Sequence, residues 1–158
     1  MQLLIIILLV ISFALALVGI TTNYWYQNLS NEFNEGLWLI CHRQSATLYS
    51  SLNTNICRKQ PYFKSQALAV SGIILLSIAL ILSIIRKYRI IDRRLAYLII
   101  SILTGTTLLL IFSYLLYPRE INFRQLGYSI YFMLISSLLC LITTGLVAFS
   151  TRTVHQSI

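Results

Sequence analysis

The chain has 158 residues, of which 58% are hydrophobic and only 10% charged. A water-soluble domain carries roughly a quarter charged residues, so a soluble globular domain and a disordered chain are both excluded; the length allows one domain, with little room for an enzyme beside membrane segments. The formal charge is +8, from 12 Lys and Arg against 4 Asp and Glu; in so apolar a chain this points to anionic lipid rather than nucleic acid.

Crossing a hydrocarbon core of about 30 Å takes roughly 20 apolar residues as helix. The first such run is Leu3–Thr22, without a charge. Ala14-Leu15-Ala16 also fits the cleavage pattern of a secretory leader. No basic residue follows Met1, however, and the run continues to Ile20, so a retained span is expected. Further uncharged runs are Ala67–Ile85, Leu95–Tyr117 and Gly127–Thr151, the last placing a span over about 128–149. Backbone amides in lipid must pair within their own segment, so these runs predict helices despite their many β-branched residues. The fold class expected is an all-α membrane protein: a single domain, 1–158, forming a four-transmembrane-helix bundle with one sizeable outer loop, about 23–66.

That loop carries Cys41 and Cys57. An oxidising outer compartment makes a disulfide the default, with two free thiols as the alternative. A metal is not expected, because His42 is the only nearby imidazole and no third thiol lies outside. Aromatic-rich 23–28, the run Gly36–Cys41 and Ala46–Leu52 have strand-like composition, and Gly and Asn clusters separate them. A small antiparallel β-sheet tied by the disulfide is expected. Were Gly36–Cys41 a flat strand, Trp38 and Cys41 would point to opposite faces, while Leu37, Leu39 and Cys41 would share one. Asn28-Leu29-Ser30 is a glycosylation sequon about six residues beyond the membrane edge, and it reads either as a modified site or as a polar turn. Arg43, Arg58, Lys59 and Lys64 against Glu32 and Glu35 leave the loop basic, which reads as a solvated face.

The connector 86–94 holds Arg86, Lys87, Arg89, Arg93 and Arg94, with only Asp92 opposing. By the positive-inside rule it is cytoplasmic; an even number of spans then puts both termini inside, and Arg152 agrees. These residues set topology or, alternatively, bind anionic headgroups. The short loop of about 118–126 faces outward. Tyr24, Trp25, Tyr26, Tyr62, Phe63, Tyr114, Tyr117 and Tyr128 form the interfacial belt common to membrane proteins. In the last span Ser136, Cys140, Thr144 and Ala148 recur every four residues. Small residues let membrane helices approach closely, so this stripe packs inside the bundle or docks another membrane protein.

Nothing in the sequence has the pattern of a catalytic site. No Asp, Glu, Lys, Arg or His lies within a span, whereas transport through the core needs such groups at depth. No nucleophile arrangement or phosphate-binding loop occurs, and His42 and His155 fall on opposite sides of the membrane. Neither enzyme activity nor a cofactor is expected.

One motif order is more specific. Trp25 follows the first span, Gly36-Leu37-Trp38 leads to Cys41, and Cys57 precedes the second span. This order resembles the claudin superfamily of four-span proteins over nearly the whole chain. Thr22-Asn23-Tyr24-Trp25 is similar to the end of the family's first span. Gly127-Tyr128-Ser129 looks like the branch of peripheral myelin protein, the epithelial membrane proteins and the lens fibre membrane intrinsic protein. The resemblance implies a left-handed four-helix bundle and an extracellular sheet clamped by Cys41–Cys57, with Trp38 low in the sheet near the bilayer. It implies roles in junctions, adhesion and membrane organisation, or as an auxiliary subunit of a channel or receptor. Four departures stand against a sealing-strand claudin: the long Cys41–Cys57 spacing, the short second outer loop, a tail ending Gln156-Ser157-Ile158, and no cysteine beside the membrane for acylation. The expectation is therefore a non-enzymatic, multi-pass plasma-membrane protein, its partners the bilayer and other membrane proteins, whether copies of itself or a channel or receptor. A claudin-like paracellular barrier is the remaining alternative. No nucleic acid or small-molecule substrate is expected.

Overall fold

The structure, a computed structural model, describes residues 1–27, 33–43, 55–59, 62–88, 93–117 and 127–156. Four helices in it are long and apolar enough to cross a membrane: α1 (Gln2–Thr21), α2 (Phe63–Tyr88), α3 (Arg93–Leu115) and α4 (Tyr128–Gln156). The outward faces of the bundle carry Leu3, Ile7, Ile74, Ile81, Leu108, Phe112, Leu138 and Phe149, all exposed. An apolar exterior of this extent is stable in lipid and not in water, and the architecture is that of a multi-pass membrane protein. α2 extends past the expected 67–85 at both ends and takes in Lys64, Arg86 and Lys87. Long basic side chains at a helix end reach the polar zone while their stems stay on apolar surface, so charge there need not stop the helix.

The helices form a ring. α2 packs most extensively on α3 and α1 on α4, and the α3–α4 and α1–α2 contacts close it. Each helix turns a narrow seam inward, and the seam repeats in alternating steps of four and three: Ile5, Leu9, Ser12, Ala16, Gly19 in α1; Ser65, Ala69, Gly72, Leu76, Ala79, Ser83 in α2; Ala96, Ile99, Leu103, Thr106, Leu110, Ser113 in α3; Met133, Ser136, Cys140, Thr143, Val147, Ser150 in α4. A seven-residue repeat held over several turns gives a left-handed supercoil. Small residues recur along every seam, which brings backbones close where lipid offers no hydrophobic drive for association. Seam hydroxyls of Ser83, Thr106 and Thr143 donate to carbonyls four residues back, so they place no unsatisfied donor in the apolar interior.

The two largest interfaces each carry a reciprocal serine pair. Ser12 Oγ donates to the Ser136 carbonyl at 3.0 Å and Ser136 Oγ donates to the Ser12 carbonyl at 2.8 Å, joining α1 to α4. Ser65 Oγ donates to Ser113 O at 2.6 Å and Ser113 Oγ donates to Ser65 O at 2.9 Å, joining α2 to α3.

Between α1 and α2 lies a four-stranded antiparallel sheet in sequential order: β1 (Tyr26–Gln27), β2 (Phe33–Glu35), β3 (Leu39–Arg43) and β4 (Asn55–Lys59). The strand expected over Gly36–Cys41 begins only at Leu39. Residues 36–38 form the turn from β2 to β3, closed by Gly36 N donating to Leu39 O at 2.8 Å. Gly36 is required there, because a Cβ at this position would lie 2.5 Å from Asn23 Cα. Leu37 and Trp38 therefore belong to a turn, and the expected alternation of faces starts one step later. β2 and β4 were not foreseen in the sequence, and Ala46–Leu52 lies outside the described residues. Cys41 and Cys57 are direct register partners on β3 and β4, disulfide-bonded with their Cα atoms 4.1 Å apart.

Candidate functional site

The first of the last four carbonyls of α1, that of Val18, accepts from Thr22 N at 3.2 Å and Thr22 Oγ1 at 2.7 Å. The two that follow meet the chain's two tryptophans. Trp25 Nε1 donates to Gly19 O at 2.8 Å, and Trp38 Nε1 donates to Ile20 O at 2.7 Å. Helix-end carbonyls have no partner in their own helix, and here the two indole N–H groups supply one. Trp25 comes from the segment just after α1 and Trp38 from the β2–β3 turn. The same two bonds that cap the helix therefore fasten the sheet to it.

Trp25 is the centre of this junction and is fully buried. Its backbone N–H donates to Glu35 O at 2.8 Å, binding it to the sheet, and its carbonyl accepts from Gly127 N at 2.9 Å, binding it to the start of α4. Gly127 admits the contact because any Cβ would overlap the Tyr24 carbonyl. The indole lies 5.3 Å from the Tyr117 ring, which meets Tyr62 edge-on at 5.2 Å. Tyr24 stacks on Tyr128 at 4.8 Å, and Thr22 Oγ1 lies 2.6 Å from Ser129 Oγ. Gln66 Nε2 donates to Leu37 O at 2.9 Å and ties the turn to α2. Much of what the sequence presents as a generic aromatic belt is thus an internal joint.

The predicted residues fall into three places. Trp25, Gly36, Leu37, Trp38 and Cys41 converge at the joint and in the sheet, with Cys57, Arg58 and Lys59 exposed on β4. Glu35, expected on a solvated face, is fully buried, on a β2 strand that lies between β1 and β3. Arg86, Lys87, Arg94 and Arg152 gather at the opposite end of the bundle, where α2 ends, α3 begins and α4 runs out. There Arg86 Nη2 donates to Thr151 Oγ1 at 3.4 Å. Arg93 opens α3; Arg89 and the sequon residue Asn28 lie outside the described residues.

The stripe Ser136, Cys140, Thr144, Ala148 does not hold together as one face. Ser136 and Cys140 are buried against α1, where Ser12 Oγ lies 2.9 Å from Ser136 Oγ and 3.1 Å from Cys140 Sγ. Thr144 and Ala148 are only half-buried, and Thr143 and Val147 occupy the seam instead. A step of four residues advances about 40° around an α-helix, so a strict i+4 row drifts off the contact line that alternating fours and threes maintain. Sequence reasoning also missed the serine pairs and the indole caps. The seven-residue spacing of small residues in α2 was a readable signal for the seams; the caps had none.

Among the described residues no three His, Cys, Asp or Glu side chains converge as metal ligands would. Compared with protein-family models the chain matches none, and comparison with curated proteins likewise finds no match.

Proposed function

We propose that this chain is a non-enzymatic, claudin-like four-span protein of the plasma membrane that works through protein–protein contacts in adhesion and membrane organisation, its sheet outside the cell and both termini in the cytosol. One observation carries the reading: the disulfide-locked sheet is bonded to the rim of the bundle through both tryptophans and through the Trp25–Gly127 link, so it presents a surface of fixed orientation. A preorganised surface loses little conformational freedom on meeting a partner. The basic end opposite the sheet supports the orientation, since Lys and Arg are enriched on the cytoplasmic side. The residues that carry the family resemblance are those that build the joint, which gives the motif a physical purpose.

The test is a mixed culture of cells expressing the tagged chain and cells lacking it. The protein should concentrate at contacts between two expressing cells and not at mixed contacts. A uniform distribution, with co-purification of a channel whose current the chain alters, would replace adhesion with an auxiliary role.

A further inference from the structure

Beside Trp38 the β2–β3 turn and the first turns of α2 border an open groove of about 360 Å³, lined by Trp38, Phe63, Gln66, Ala67, Val70 and Ser71. Phe63 is 77% exposed, and Val70 and Ile74 continue its stripe down the lipid-facing side of α2. From Phe63 to Ser71 the helix rises about 12 Å, the depth from the headgroup zone into the upper acyl carbons. The polar groups at the sheet end are engaged within the protein, the Trp38 N–H on Ile20 O and the Gln66 amide on Leu37 O, so the indole offers a ligand its apolar face.

Two cationic residues neighbour the lining in sequence and register. Lys64 follows Phe63 on α2, and Lys59 is the register partner of Leu39, the residue after Trp38. Both are exposed, and among the described residues no carboxylate pairs with either.

We propose that this groove holds an acyl chain of a membrane phospholipid whose phosphate rests on Lys59 and Lys64. The site rests on the chain spanning a bilayer with the sheet at its surface, and is independent of the adhesion reading. Charge selects the occupant. A sterol leaves the cations unmatched, and a second copy docked through the same face would bring like charges together.

The two tryptophans make the test direct, because Trp25 is sealed in the joint and only Trp38 lines the groove. The full chain is reconstituted in phosphatidylcholine vesicles doped with phosphatidylglycerol or phosphatidylcholine brominated in the upper acyl chain, and flotation with the vesicles reports insertion separately. Each lysine near the surface should raise the preference for the anionic lipid about fivefold. With two lysines, half-maximal quenching should therefore need roughly 25-fold less brominated phosphatidylglycerol than brominated phosphatidylcholine. The preference should fall to near unity in K59Q/K64Q, and the quenching should disappear in W38F. Equal quenching by the two lipids in the inserted wild type, a preference that survives K59Q/K64Q, or quenching set by protein density would overturn the proposal. Failure to float would instead overturn the membrane reading beneath it.

Discussion

The two indole caps differ in burial, and that difference sets a testable order of costs. In Trp25→Phe the Gly19 carbonyl loses its donor in a site closed to solvent; an unsatisfied buried acceptor costs about 1–3 kcal/mol. The smaller ring adds on the order of 1 kcal/mol for the space left beside Tyr117. Trp38 is 37% exposed, so in Trp38→Phe water or a lipid headgroup can replace the donor at Ile20 O. That change should cost about 0.5–1 kcal/mol. Denaturant titration of each variant in mild detergent measures the total, and hydrogen exchange at the last turn of α1 locates it. Trp25→Phe should be the more damaging by about 2 kcal/mol, with amide protection lost at the end of α1 before the rest of the bundle opens. Equal costs for the two variants, or an unaltered last turn in Trp25→Phe, would refute the capping argument.

Double-mutant cycles on Ser12/Ser136 and Ser65/Ser113, each residue changed to Ala, should give coupling energies of about 0.6 kcal/mol and no more than about 1.7 kcal/mol, read from unfolding titrations. Gly127→Ala should destabilise by about 1–3 kcal/mol or more, because its Cβ meets the Tyr24 backbone, whereas Gly145→Ala, with nothing within 4 Å, should be neutral or stabilise by up to about 1 kcal/mol; thermal denaturation separates them. Cys41→Ser with Cys57→Ser opens a link of sequence separation 16, worth about 3 kcal/mol in the chain-entropy model. Limited proteolysis should then cut within the sheet while the four helices stay protected, and equal resistance in both forms would show that the joint alone holds the sheet.

The four helices were legible because the rule that selects them is local. Hydrocarbon demands a long uncharged run whose amides bond within it, and each of the four runs meets that demand without reference to the others. The disulfide was legible for a similar reason, as two of the three cysteines fall in the one long connector between apolar runs. What the sequence left open was rotation. A membrane helix is apolar on every side, so polarity does not mark which face turns inward. Reading i+4 spacing put Thr144 and Ala148 on the contact line, and the structure gives it to Thr143 and Val147.

The sheet shows the same boundary. Strand-like composition between the first two helices was visible, but the turn at 36–38 depends on Gly36 seated against Asn23, and Glu35, though charged, is fully buried. Trp25 was recognisable as an interfacial aromatic, and Trp38 as a motif residue that the resemblance sets low in the sheet. Their role as donors to Gly19 and Ile20 depends on chain segments that meet only in three dimensions. Composition alone therefore determined four helices long and apolar enough to cross a membrane, since solvation in lipid is decided segment by segment. Tertiary structure decided which faces meet and how the sheet is fastened, since close packing and the pairing of helix-end carbonyls depend on partners far away in sequence.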